Sequence, residues 1–372
     1  MPKPVRTARH SVIHRDSHAY AAHPHIACLA DGSWLAVFNK APRRALRLHP
    51  PQDPLFHNYL IRSVDEGDSW SAPEVVPDYD RHGVECAGLT PLADGSVLLN
   101  QWQFRWYPLG AATARADASE LIFPERFAAR LPLSPELGLA QAPRALLPWA
   151  RGGGTTWVHR SVNCGRSWSE SIAIDTSPFS GGYGMRGGIE LPSGEILLPL
   201  SDIPHYRRIF LIRSSDGGRQ WSDPSLVAAA EGHEFEEPAM IQLANGRLLM
   251  LLRDNVSRGL HQIQSEDHGR SWTELRASGI RGYPSHLSLL SDGQVLCLYG
   301  HRAPDYSIRA VLSADGGATW DTDDTRVVRG GLPNEDLGYP SAIVTESGEI
   351  FAIYYCQDGD GVTGIEATRF CL

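Results

Sequence analysis

The chain has 372 residues, with 34 Lys and Arg against 43 Asp and Glu, for a formal net charge of −9 at pH 7. That balance, without any dense Lys/Arg run, excludes a nucleic-acid surface; an anionic ligand would be drawn by a local cation cluster, against the overall field. No stretch is long and apolar enough to span a membrane, and the first ten residues lack the apolar core of a signal peptide, so a cytoplasmic protein without membrane contact is expected.

In chain order, the segment Thr7–Ile13 reads as a strand with no partner nearby. A hairpin follows at Asp31-Gly32, and then the phrase Ser63-Val-Asp65-Glu-Gly67-Asp-Ser69-Trp70. Its pattern, S-x-D-x-G-x-S/T-W, returns at 161–168, 214–221, 265–272 and 313–320, relaxed to Asn163 in the second copy and Gln220 in the third. Asp accepts from backbone N–H groups two residues on, Gly supplies a positive φ, and Trp is a large apolar anchor, so each copy reads as a structural turn without chemistry. A second marker, an apolar run on each side of a Gly turn, recurs at Gly32, Gly95, Gly194, Gly246, Gly293 and Gly348. Runs such as Leu248–Leu252 are too continuously apolar for a half-exposed sheet and read as strands buried on both faces.

Six hairpins and five turn phrases, at a period of roughly 50 residues, predict an all-β fold: one six-bladed β-propeller domain over 1–372 with four-stranded antiparallel blades. Thr7–Ile13 is expected to complete the last blade and close the ring. The interval from Gly95 to Gly194 is about twice the usual spacing, and residues 103–155 carry neither marker, which predicts an insertion with some helical character over Ala111–Leu131. The six cysteines, without a C-x-x-C pair, are expected as free thiols.

The repeat frame also places side chains. Nine residues before each hairpin Gly stand His23, Cys86, Met185, Glu237, Pro284 and Tyr339, with Glu85, Glu236, Arg186, Tyr283 and Ser285 beside them. The returning strands deliver Arg253 and Arg302 to the same end, so Glu237, Tyr339, Arg253 and Arg302 should converge at one mouth. Charges at the ends of buried strands need partners or a ligand, because an unpaired one is costly there.

With these residues in place, the chain resembles the sialidase superfamily, six-bladed propellers carrying such turn phrases as Asp-boxes. The segment Glu237-Pro through Arg253 is similar to the one in which the family's catalytic Glu precedes a carboxylate-binding Arg, and Leu337-Gly-Tyr339-Pro to its nucleophilic Tyr segment. Tyr299-Gly-His-Arg302 matches the third-Arg position better than Arg309 does. The resemblance implies an exo-glycoside hydrolase releasing a terminal acidic sugar, with Tyr339 as nucleophile, Glu237 as its base and Arg253 with Arg302 on the carboxylate. A sialoside carboxylate would repel an anionic nucleophile, which is why a phenol with a neighbouring base is suited to the task. Two departures stand out. Where the family opens with Arg-x-Pro, this chain reads Ala22-His23-Pro24, so one carboxylate-binding Arg is absent, with Lys40, Arg43 and Arg186 as candidate substitutes. The acid that protonates the leaving oxygen has no marked position; Asp53 is the candidate.

Glu85, Arg186, His23 and His286 are further expected to meet the substrate, with Trp102, Trp106, Tyr107 and Tyr283 as sugar-stacking candidates. His23, His82, His261 and His286 near Tyr339 also admit a lyase acting beside a uronic-acid carboxylate, and the missing Arg admits a sugar-binding propeller without catalysis. No cofactor is expected. His23-Pro24-His25 is the tightest histidine pair and lacks the spacing of a zinc site, so no metal is expected either.

Overall fold

A computed structural model describes residues 2–44, 48–76, 84–128, 144, 147–168, 170–203 and 205–372. Each Gly turn joins the first two strands of a blade, and each S-x-D-x-G-x-S/T-W phrase joins the last two. Blade 1 comprises Ala19–Cys28, Trp34–Pro42, His57–Ser63 and Glu74–Val75; blade 2 comprises Val84–Pro91, Val97–Pro108, Trp149–Ser161 and Glu170–Ala173. Blade 3 runs from Gly182 to Ala229 with its first strand split in two, and blade 4 holds Phe235–Gln242, Leu248–Asp254, Gly259–Ser265 and Arg276–Ala277. Blade 5 is built on Ser285–Leu289, Val295–His301, Ser307–Ser313 and Arg326–Arg329, with Lys3–Pro4 added parallel to its outer edge. Blade 6 takes Leu337–Val344, Ile350–Gln357 and Thr363–Cys371, and its fourth strand is Arg6–His14, paired antiparallel from Arg6↔Cys371 to His14↔Ile365. The N-terminal segment therefore supplies the outer strand of the last blade and closes the six-bladed ring.

The continuously apolar runs are explained by stacking on both faces. In blade 4, Leu248, Met250 and Leu252 pack with Leu197, Ile209 and Leu211 of blade 3. The alternate residues Leu249 and Leu251 pack with Leu287, Val295 and Cys297 of blade 5. A period of two thus points successive side chains of one strand at two different neighbours.

The repeated phrases stitch adjacent blades together. In each, the Ser hydroxyl accepts from the Gly N–H (2.7 Å for Gly67 to Ser63) and donates to the Asp or Asn side chain (2.8 Å for Ser63 to Asp65). Trp70 and Trp221 close the turn by donating to the carbonyls of Gly67 and Gly218. The turn glycine then lies against a side chain of the preceding blade: Gly67 on Phe351, Gly165 on Leu35, Gly218 on Leu98, Gly269 on Leu211 and Gly317 on Leu249. These turns therefore anchor the seam between blades, a longer reach than anchoring within one blade.

Strand enters the long interval in blade 2 from both ends. The middle hairpin extends as two arms paired from Val97↔Ser161 to Pro108↔Trp149, with short helices at Leu109–Thr113 and Pro124–Ala128 beyond them. The helical character expected over Ala111–Leu131 is confined to these and one 3-10 turn among the described residues; 129–143, 145 and 146 lie outside them. No helix among the described residues is long and apolar enough to cross a membrane. The described cysteines Cys28, Cys164, Cys297, Cys356 and Cys371 are free thiols.

Candidate active site

The inner strands of blades 1, 4 and 6 carry the same irregularity. Their ladders shift register at Ala22/His25, Glu236/Ala239 and Gly338/Ser341, and at each bulge one non-glycine residue adopts a positive φ: His23 (56°), Glu237 (53°) and Tyr339 (51°). All three precede a proline. A positive φ outside glycine costs on the order of 1–3 kcal/mol and persists only where the surroundings impose it, as at functional sites. A bulge re-aims side chains, and here it turns His23, Glu237 and Tyr339 towards one another from three blades.

Tyr339 donates its hydroxyl to Glu237 Oε1, a contact between residues 102 apart in sequence, and both side chains are buried. Arg253 donates to the other oxygen, Glu237 Oε2, at 2.9 Å, and lies 3.4 Å from Glu236 Oε1. Asn255 fixes this arrangement by accepting from Arg253 Nε (2.8 Å) and donating to Glu236 Oε1 (2.6 Å), while Tyr183 donates to Glu236 Oε2 (2.7 Å). Arg302 donates to the Tyr355 hydroxyl at 3.1 Å, and its guanidinium stands 5.5 Å from the Tyr339 ring. The Tyr283 ring lies beneath both cations, 4.1 Å from the Arg253 guanidinium and 5.7 Å from that of Arg302. Gly338, at φ +128°, permits this packing, because a Cβ there would sit 3.1 Å from Arg302 Nη2.

Burial works against the charge on Arg253, but Glu237, Glu236 and Tyr339 raise its pKa well above the ordinary value. Arg302 is likewise raised, against its burial, by Tyr355 and Tyr339. Two carboxylates and two guanidiniums therefore meet beside one phenol. Arg302 Nε is buried with no hydrogen-bond acceptor among the described residues, so the cluster retains an unused cationic donor.

Residues 146–352, more than half of the chain, match the family model described as a BNR repeat-like domain. The chain belongs to the BNR repeat-like family. A sialidase from Bacteroides fragilis (strain YCH46) is 23% identical over 286 residues, covering 70% of this chain and 47% of that protein, so the chain spans about half the length of this curated relative. The structure of a protein of unknown function from Dyadobacter fermentans superposes with a TM-score of 0.78 at 22% identity, covering 98% of this chain and 99% of the other. The NanB sialidase from Streptococcus pneumoniae superposes with a TM-score of 0.68 at 12% identity, covering 97% and 70% respectively. At these identities the superpositions establish the shared six-bladed fold.

Within this BNR-repeat propeller the remaining candidates take different places. His23 reaches the centre: its ring is 4.3 Å from that of Tyr339, and its Nδ1 is 3.0 Å from Asn39 Oδ1. Arg186 leaves the mouth and ties the ring together, donating to the carbonyls of Pro24 (3.4 Å), Ser285 (3.2 Å) and Pro340 (2.6 Å) on three other blades. His286 is also off the centre, 3.2 Å from Ser288 Oγ. Asp53 is buried, with its oxygens held by Arg44 and by the Leu55 N–H (3.0 Å). Lys40 pairs with Asp16 at 3.0 Å and Arg43 donates to the Gly361 carbonyl at 2.9 Å. His25 accepts from the Leu89 N–H, so the His23/His25 pair faces two different tasks. The Glu85 side chain and His82 lie outside the described residues.

A cavity of about 790 Å³ adjoins the centre, lined by His49, Trp102, Tyr107, Arg151 and Tyr206 among others. It touches the centre on two sides: His49 stacks on His23 at 6.2 Å, and Trp102 stacks on Tyr183 at 5.5 Å. The long blade 2 arm forms one wall and is pinned to the blade 1 loop by Trp149 Nε1 donating to the Gln52 carbonyl (3.0 Å). Trp102 and Tyr107 thus line a sugar-sized space, whereas Trp106 packs against Trp149 and Tyr283 supports the arginines.

Two measurable consequences follow from these placements. Replacing Arg186 by Met strands carbonyls of three blades, each costing about 1–3 kcal/mol, so thermal unfolding of Arg186→Met should occur well below wild type. The second concerns pH. Burial lowers His23 and His25 well below 6.5, helped by His49 and Arg186 respectively, and burial and Arg186 lower His286 to about 3. Unfolding frees these rings to take protons below pH 6.5, so the unfolded chain binds more protons there and stability falls as pH drops. Each neutral-buried histidine adds a slope of up to about 1.4 kcal/mol per pH unit below 6, readable as a falling denaturant midpoint from pH 7 to pH 5.

Proposed function

We propose that the protein is a sialidase-like exo-glycoside hydrolase that releases a terminal acidic sugar through a tyrosine nucleophile. The observation that carries this reading is the Tyr339 hydroxyl donated to Glu237, with Arg253 on the second carboxylate oxygen. A phenol is a weak nucleophile at neutral pH, and a carboxylate on its proton activates it as attack begins. Tyr339 Oη forms a bond to the anomeric carbon, Glu237 takes the phenolic proton, and the bond to the leaving oxygen breaks, an aryl aglycone departing as its oxyanion. Water then attacks the same carbon as the bond to Tyr339 Oη breaks, Glu237 returns the proton to Tyr339, the water's proton passes through solvent to the aglycone oxyanion, and the sugar departs with its configuration retained. Arg253 and Arg302 bind the sugar carboxylate, with Arg302 supplying the unused donor. The 790 Å³ cavity receives the rest of the sugar or its aglycone.

His23 beside Tyr339 supports a second reading, a lyase on 4-linked uronic-acid sugars in which a neutral imidazole abstracts the proton next to the carboxylate, the bond to the 4-oxygen breaks and a 4,5-double bond forms. Turnover of umbelliferyl sialosides, their deaminated relatives and 4-linked oligouronides separates the two. An aryl leaving group departs with little acid assistance, so this panel reads the Tyr339/Glu237 step whichever group serves as acid. Release of umbelliferone from a sialoside supports the hydrolase. An ultraviolet-absorbing unsaturated product from a uronide supports the lyase, and binding without turnover on the whole panel would overturn both.

A further inference from the structure

A second cluster of chemistry-bearing side chains lies on the other face of blade 4. His233 precedes the inner strand, Asp254 ends the second strand and His261 sits in the third. Along Leu248–Asp254 the even residues face blade 3 and the odd residues face blade 5, so Asp254 and Arg253 point to opposite sides of the sheet. His261 pairs with Leu252 across the ladder and shares the Asp254 face. The cluster is therefore built separately from the carboxylate clamp.

We propose that His233, Asp254 and His261 form a binding site for a divalent transition-metal ion of the zinc type. Asp254 Oδ2 is 2.9 Å from His233 Nδ1 and 3.7 Å from His261 Nδ1, and the three donor atoms all lie within 4.8 Å of one another. Tetrahedral zinc with bonds of about 2.0–2.1 Å to nitrogen and oxygen sets its ligand atoms roughly 3.4 Å apart, inside this range. Two imidazoles and one carboxylate are a donor set suited to zinc, and three protein ligands leave a fourth position open.

A plain hydrogen-bond role accounts for His233, whose Nδ1 meets Asp254, but leaves His261 unexplained. His261 is 8% exposed, and its Nδ1 has no hydrogen-bond partner among the described residues although it stands 3.7 Å from the carboxylate. A buried ring nitrogen left in this way is a cost that a coordinated ion removes. The rings are pre-positioned: His233 stacks on Phe235 at 5.3 Å, and His261 meets the same ring edge-on at 5.5 Å. The Asp254 carboxylate is held by the N–H groups of Glu234, Val256 and Ser257, the kind of support that fixes a metal-ligating group. Burial opposes its ionisation, but bonds from Ser257, His233 and these N–H groups hold its pKa down to about 2, and burial lowers that of His261. The His233 side chain is 33% exposed and gives an ion its entry.

The test uses the full chain, stripped with a chelator, then titrated with Zn²⁺ by calorimetry and with Co²⁺ by visible absorption. One ion per chain is expected, with intense Co²⁺ ligand-field bands of a four-coordinate site. His261→Ala and His233→Ala should each weaken binding by more than the roughly 10–100-fold that loss of a supporting group costs. Circular dichroism of the metal-free variants checks that they fold; if either does not, the other variant carries the comparison. No saturable single site, or Zn²⁺ affinity unchanged in the folded variants, overturns the proposal and assigns any binding to the other histidines.

Discussion

Tyr339→Phe is expected to reduce turnover of an aryl sialoside by at least about 10³-fold while leaving the affinity for a carboxylate-bearing product nearly unchanged. The substitution removes only the hydroxyl donated to Glu237; the ring that packs against His23 and Arg302 stays. Glu237 keeps its pair with Arg253, so no buried carboxylate is left alone, and the loss of one charge-assisted bond costs about 1.5–3 kcal/mol of stability. A fall in kcat with KM preserved is the pattern of a group that acts in the transition state. Retained turnover would remove Tyr339 from the chemistry and leave His23 as the residue to examine. Parallel loss of turnover and binding would instead give the hydroxyl a role in holding the sugar.

The ring was legible because its determinants are local and repeated. A Gly at each tight turn, a Ser/Asp/Trp phrase at each outer turn and continuously apolar runs between them declare blades without any long-range information. The convergence of Glu237, Tyr339, Arg253 and Arg302 followed from the same frame, since equivalent positions in a rotational repeat meet at the axis. What escaped the frame depends on contacts across the ring. Whether an inward arginine binds ligand or holds backbone is decided by which carbonyls surround it, and those around Arg186 belong to Pro24, Ser285 and Pro340, none near it in sequence. Asp53 stands in a proline-rich loop, and its oxygens meet Arg44, nine residues away in a segment with no periodic signal, and the Leu55 N–H. Asn255 was accessible to the same logic as Arg253, two residues on and on the same face, yet an amide between charged residues carries little signal until its partners are known. His49 and Tyr183, which join the centre to the neighbouring cavity, likewise have no distinguishing pattern.

The two arginines at the mouth are not equivalent, and this sets the second large effect. Arg253 is committed to Glu237 and Asn255, so removing it disturbs the base as well as the clamp. Arg302 touches the rings of Tyr283 and Tyr339, donates once to Tyr355 and keeps Nε without an acceptor among the described residues, so in the proposed hydrolase it has donor capacity left for a ligand. Arg302→Met should weaken a carboxylate inhibitor by about 10²-fold, the equivalent of one or two charge-assisted hydrogen bonds. The corresponding methyl ester should lose much less, because it accepts without charge. Arg302→Lys should recover only part of the affinity, since an ammonium restores the charge without the planar fork. Gly338→Ala offers an independent approach: its Cβ would press on Arg302 Nη2 at a positive φ that alanine resists, displacing the cation without deleting it. If Arg302→Met binds the acid and its ester with unchanged affinities, the carboxylate is held by Arg253 alone, and the absent first-blade arginine would mark a substrate whose charge lies elsewhere on the sugar.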